Sequence, residues 1–187
     1  MIELQHWLRA HFLPRLRATP GGPQALRFHV DSPDLKGGGT VASAHVYQGM
    51  GCTGENLSPA LEWHNPPPGT RGFAVTCYDP DAPTGSGWWH WQMIDIPASA
   101  TGLARGAGGA TGTRPGNARM TRNDYGEVAY GGPCPPPGDR PHRYVFTVYA
   151  LKVDHLDVPA NASCALVGFM LNANKIDTAV LTAMYGR

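Results

Sequence analysis

Residues 72–83 read Gly-Phe-Ala-Val-Thr-Cys-Tyr-Asp-Pro-Asp-Ala-Pro. The first seven form a nearly continuous apolar run closed by prolines, the pattern of a strand buried on both faces at the centre of a sheet. Pro80 and Pro83 restrict the turn that follows, and its carboxylates can accept hydrogen bonds from the turn's own N–H groups. For Asp81 that structural role is the preferred reading. Asp79 stands at the strand end, where a side chain can point into a cleft beside the sheet.

Outward from this stretch the β signature repeats. Residues 143–151 form a second nearly continuous apolar run, and residues 60–63 and 88–96 are further strands bounded by Pro or Gly. Leu26, Phe28 and Val30 alternate with Arg27 and His29, as in a half-buried strand, before the Gly37-Gly38-Gly39 turn. Residues 98–141 are rich in Gly, Pro and polar side chains, too long for an ordinary connection and therefore functional or partly disordered, with residues 130–137 read as a fixed loop. Residues 161–173 are a short helix with Leu166, Phe169 and Met170 on one face, and residues 178–185 are helix or a last strand. The expected fold is mostly β, with a short C-terminal helix and, over residues 1–23, an N-terminal amphipathic helical arm. Leu4, Trp7, Leu8, Phe12 and Leu16 supply the arm's apolar stripe, which packs on the domain or on a second copy of the chain as a homodimer; a disordered extension fits the Pro20-Gly21-Gly22-Pro23 linker nearly as well. Residues 24–187 form one domain.

Composition narrows the function. The chain has 187 residues, with 24 Gly and 18 Pro, yet 42% hydrophobic residues and five Trp argue that it packs. Charged residues are 16% and the formal net charge is +1, too weak a field to gather nucleic acid. No apolar stretch is long enough to span a membrane, and arginines interrupt the N-terminal pattern, so neither a membrane span nor a secretory signal is expected. Cys52, Cys77, Cys134 and Cys164 lie far apart without a CxxC pair, which reads as free thiols in a cytoplasmic protein.

Two segments concentrate chemistry. In Trp88-Trp89-His90-Trp91, strict alternation puts Trp88 and His90 on one face and Trp89 and Trp91 on the other; in His142-Arg143-Tyr144, His142 and Tyr144 share a face. If these strand ends are neighbours of Asp79, two imidazoles, a carboxylate and a phenol converge as a site for phosphate or carboxylate. Two His and one carboxylate also form a metal triad, but no HxH or HExxH spacing supports one, so no metal and no cofactor is expected. No P-loop, Rossmann fingerprint or GxSxG elbow is present.

Asn56-Leu57-Ser58-Pro59-Ala60-Leu61-Glu62-Trp63, Tyr78-Asp79-Pro80-Asp81-Ala82-Pro83, Gly87-Trp88-Trp89-His90-Trp91 and Pro141-His142-Arg143-Tyr144, in this order, resemble the phosphatidylethanolamine-binding protein family in its bacterial YbhB/YbcL, Raf-kinase-inhibitor-like branch. The resemblance runs from about residue 26 to the C-terminus. It implies two antiparallel sheets, one large and one small, and a shallow anion pocket at one end of the large sheet. It also implies that Asp79, Trp88, His90, Gly132, Pro133, His142 and Tyr144 bind the ligand, and that Arg143 and Asp81 form a structural pair beneath it. The branch usually carries histidines in the C-terminal helix where this chain has Leu171-Asn172-Ala173-Asn174. The family fold brings Cys52 and Cys134 close together near the pocket rim; a disulfide there is disfavoured by a reducing cytoplasm. Cys77 and Cys164 are expected buried and inert.

The leading functional reading is therefore a binding protein, without catalytic residues, for a small phosphorylated or carboxylate ligand, acting as a regulator or inhibitor of a kinase or protease. A hydrolase of small phosphoesters or esters using the Asp/His pocket is the alternative, set back by the lack of an activated nucleophile. A third class is an interaction inhibitor working through the long loop alone. Anion binding should weaken as pH rises through the imidazole range.

Overall fold

The computed structural model describes residues 26–187, so the arm expected over residues 1–23 lies outside the described residues. The strands are β1 (His29–Asp31), β2 (Gln48–Gly49), β3 (Cys52–Thr53), β4 (Leu61–His64), β5 (Gly72–Asp79), β6 (Trp88–Pro97), β7 (Gly102–Leu103), β8 (Arg119–Met120), β9 (His142–Leu151) and β10 (Lys175–Tyr185). A 3-10 turn spans Ser43–His45, and helix α1 (Cys164–Asn174) precedes β10. A five-stranded sheet runs β10-β9-β5-β6-β8, a three-stranded sheet β1-β4-β7, and β2 and β3 pair as a separate ribbon. All these ladders are antiparallel. The large and small sheets match the expected pair, to which the ribbon is an addition.

β5 lies at the centre of the large sheet because both its faces are covered. Phe73, Val75 and Cys77 face a core shared with Trp91, Met93 and Phe146 of the same sheet and with Phe28, Val30, Leu61 and Trp63, which include the buried face of the small sheet. Ala74 faces the other way, into a second cluster with Ile94, Leu151, Leu156 and the α1 residues Val167 and Leu171. A strand with two dry faces needs apolar side chains at every position, hence the unbroken run in its sequence.

The structure departs from the expectations in two places, α1 and β6, and narrows two readings that the sequence left open, residues 98–141 and 178–185. In α1 the packed residues are Cys164, Val167 and Leu171, whereas Leu166 and Phe169 are 39% and 68% exposed. The segment is apolar nearly all round, so its sequence does not mark which stripe docks. Residues 178–185 are strand, paired with β9 throughout. Residues 98–141 are held in place: the Asn123 side chain accepts from Glu127 N and donates to Ala129 O, Asp124 accepts from Trp89 N at 2.7 Å, and Tyr130 Oη donates to His45 O at 2.8 Å. Finally, β6 carries a bulge opposite Cys77 and Tyr78, which pair with Trp91 and Trp89. The extra residue breaks strict alternation. Trp91 therefore enters the main core and meets Tyr130 edge-on, while Trp89 packs on Tyr78 and faces Gly168 of α1.

Cys52 of β3 and Cys134 form a disulfide with Cα atoms 6.0 Å apart, across 82 residues of sequence. The expected proximity is observed, and the bond corrects the free-thiol reading for this pair; Cys77 and Cys164 remain free and buried. Thiol titration of the denatured, unreduced protein should find two reactive thiols, not four. Closing so long a loop restricts the unfolded chain, so Cys134→Ser should lower unfolding free energy by roughly 2–5 kcal/mol in urea titrations.

Candidate functional site

Asp79 closes β5 with its side chain buried, 3% exposed. Its Oδ1 accepts from the backbone N–H of Asp81 at 2.8 Å and of Ala82 at 3.1 Å, which fixes the turn after the strand. Its Oδ2 lies 2.7 Å from Nδ1 of His142, the first residue of β9. A carboxylate accepts and cannot donate, so Nδ1 carries the proton and Asp79 sets the ring's orientation. The other ring nitrogen lies 3.3 Å from Asp139 Oδ2. Asp81 takes the structural role expected of it. Its oxygens accept two parallel hydrogen bonds from the Arg143 guanidinium, each 2.9 Å, and a third from Arg143 N. This guanidinium holds the Asp81 carboxyl well below the usual carboxylate range.

β6 supplies the opposite wall. Gly87 opens it at φ 69°, where a Cβ would collide with the Tyr78 hydroxyl and the Asp79 carbonyl, so only glycine turns the chain this tightly into Trp88. His90 is 2% exposed, and its Nδ1 donates to the carbonyls of Gly131 at 2.7 Å and Gly132 at 3.1 Å. Its Nε2 then carries the lone pair. Burial pushes the His90 pKa down to about 4, so the ring is neutral at pH 7. Tyr144 of β9 meets it edge-on with ring centroids 5.1 Å apart.

Asp79, Trp88, His90, His142 and Tyr144 all line one cavity of about 180 Å³. That volume corresponds to about six water molecules, the scale of a small headgroup. Gly132 and Pro133 stand behind the wall. The Gly132 carbonyl accepts from His90 and from Tyr125 Oη, its N–H donates to Asn56 Oδ1 at 2.7 Å, and a Cβ there would collide with the His45 carbonyl. Pro133 accepts from Tyr47 N. Their place is to hold His90 and the loop. Sequence reading missed Tyr125, which packs edge-on against Trp88 and His90, and Met50, which joins Cys134, Pro135 and Pro136 on the rim. Its standing as one of only two aromatics in the Gly-rich stretch of residues 98–141, beside Tyr130, was the available signal for Tyr125. Within the described residues three buried polar atoms lack a hydrogen-bond partner: Trp88 Nε1, His90 Nε2 and Tyr144 Oη. All three belong to residues of this cavity.

Comparison with known proteins agrees with this geometry. The family model for phosphatidylethanolamine-binding protein matches residues 31–186. The Escherichia coli protein YbcL is 53% identical over 163 residues, 87% of this chain and 89% of its own length. E. coli YbhB is 46% identical over 154 residues, 82% of this chain and 97% of its own. The crystal structure of E. coli YbcL, described as a new member of the mammalian family, superposes with a TM-score of 0.84 over 86% of this chain and 98% of that one. A Chlamydia trachomatis homologue, 26% identical, superposes with a TM-score of 0.71 over 86% of this chain and 97% of that one. With the matching residues spanning nearly the whole described fold and its cavity, the chain belongs to the phosphatidylethanolamine-binding protein family.

Proposed function

We propose that the protein is a binding module, without catalytic activity of its own, for a small ligand bearing a phosphate, phosphoryl or carboxylate group, seated in the Asp79–His142 cavity. The observation that carries the reading is the trio of partnerless polar atoms, because buried polar groups are nearly always hydrogen-bonded and three such gaps at one cavity call for one complementary group. Trp88 Nε1 can only donate, Tyr144 Oη can donate or accept, and the neutral His90 Nε2 accepts. A protonated oxyanion, such as a phosphate monoanion, satisfies all three.

The hydrolase alternative lacks a nucleophile among the cysteines: Cys134 is in the disulfide, burial raises the Cys77 thiol far above its usual range, and burial pushes Cys164 up to about 12. Burial likewise raises the Tyr144 hydroxyl well above the usual phenol range, which suits a hydrogen-bonding role. No helix among the described residues is long and apolar enough to cross a membrane. The disulfide favours an oxidising compartment over the cytoplasm expected from the sequence, since cytosolic thiols are kept reduced.

Calorimetry with inorganic phosphate tests the reading. Trp88→Phe keeps the ring and removes the donor, and His142→Ala removes the imidazole; each should weaken binding about tenfold, the worth of one good hydrogen bond. Unchanged affinity in both would overturn the proposal, and turnover in a phosphatase and esterase panel would favour the hydrolase. Affinity should fall as pH rises from 6 to 8, because a phosphoryl group with a second pKa of about 6 loses the proton that His90 accepts.

His90 also predicts a stability profile. The unfolded ring binds its proton near 6.5 and the folded ring only near 4. Over that window the unfolded state holds more protons, so stability falls as pH drops from 6.5 toward 4, by about 3 kcal/mol. Urea midpoints across this range should fall more steeply for the native protein than for His90→Gln.

A further inference from the structure

Far along the chain from the cavity, the outer face of the small sheet carries a second polar cluster. β1 and β4 pair so that His29 stands directly opposite His64, and Asp31 lies two residues along β1 on the same face. Val30 and Trp63, between them, point into the core, which leaves the three polar side chains outward and about half exposed. The two imidazoles stack with centroids 4.9 Å apart. Asp31 Oδ2 lies 3.4 Å from His29 Nε2 and 3.9 Å from His64 Nε2, and the three ligand atoms all fall within 4.8 Å of one another.

We propose that His29, Asp31 and His64 form a surface site for a divalent transition-metal ion of the zinc or copper class. The orientation of the His29 ring is the first argument. Its Nδ1 lies 3.0 Å from the Arg27 carbonyl, which can only accept, so Nδ1 carries a proton and Nε2 is the nitrogen that faces the Asp31 carboxylate. A backbone carbonyl holding the far nitrogen is also how metal-binding histidines are oriented. Ligand spacing is the second argument. With bonds of about 2.0–2.2 Å, neighbouring ligands around tetrahedral zinc stand about 3.4 Å apart, so the His29–Asp31 edge already fits and the His64 edge needs a small side-chain adjustment. Two imidazoles with one carboxylate select zinc, copper or nickel over calcium or magnesium, which take oxygen ligands. Glu62, opposite Asp31 on the same ladder, adds a further negative charge at the strand pair. Three protein ligands leave the remaining coordination positions to water. None of the three residues lines the cavity described above.

The test is a zinc titration of the full chain by calorimetry in a non-chelating buffer, repeated with His64→Ala, Asp31→Asn and the cavity variant His142→Ala. One ion per chain is expected. Loss of a ligand should weaken binding at least about tenfold in the first two variants, the lower end of what perturbed metal shells cost, while the third binds as the native protein does. Cobalt loading supplies a second readout, a tetrahedral visible spectrum that disappears in His64→Ala. Zinc should also raise the unfolding midpoint of the native protein more than that of Asp31→Asn, since binding favours the folded state. The substitutions lie on an exposed face, and unfolding midpoints without metal check that the variants fold. Absence of binding, affinity unchanged in both His64→Ala and Asp31→Asn, or loss only in His142→Ala would each overturn the proposal.

Discussion

Asp79 ends the central strand with its carboxyl taken out of water, a position that costs several kcal/mol unless each oxygen finds a donor. Two donors come from the turn immediately after it and one from His142 on the neighbouring strand. Satisfying that one group therefore fixes three things together: the shape of the turn at residues 80–83, the register at which β9 meets β5, and the orientation of the His142 ring. Arg143, next along β9, clasps Asp81 in the same turn, so the turn is tied to β9 from both sides of the strand. A cavity between the end of β5 and the start of β9 is the consequence, because neither chain can close over the buried Asp79–His142 pair without losing its hydrogen bonds.

The opposite wall depends on a different constraint. Strict alternation would have set Trp91 beside Trp89, and the bulge in β6 instead allows both His90 and Trp91 on the core side. His90 can then spend its Nδ1 proton on the loop carbonyls of Gly131 and Gly132, which the Asn56 side chain steadies from behind. The nitrogen left over is the one that belongs to the cavity. Gly132 serves this arrangement by letting its backbone approach the His45 carbonyl more closely than any side chain there would allow.

Local patterns made much of this legible. The two unbroken apolar runs marked β5 and β9, and the residue types at their ends marked Asp79, His142 and Tyr144. Asp81 and Arg143 were readable as a pair from their opposite charges only once the family resemblance put their two motifs side by side. What was hidden is what local pattern cannot encode. A bulge shifts faces without any dedicated residue, so Trp91 was misplaced. Tyr125 reaches the cavity through a loop whose path is set by the Asn123 and Asp124 side chains, not by periodicity. His29, Asp31 and His64 meet only because two strands pair in one register. In α1 the docking stripe was misread since apolar residues surround the helix, which covers the sheet's other face; none of its residues lines the cavity.

The Pro-rich rim completes the physical picture. Prolines lack an N–H, so residues 135–137 offer no backbone donors and cannot be tied down by a strand ladder. The chain secures this segment from outside: the Cys52–Cys134 bond before it, Tyr47 N to the Pro133 carbonyl, and Arg187, which donates to the Pro135 carbonyl and accepts from Gly138 N. A wall built this way is ordered yet has no N–H of its own to offer a ligand. The cavity's polar side chains accordingly stand on its other walls, among them Trp88, His90, Tyr144 and the Asp79–His142 pair, and the disulfide holds the donor-free wall in place opposite them.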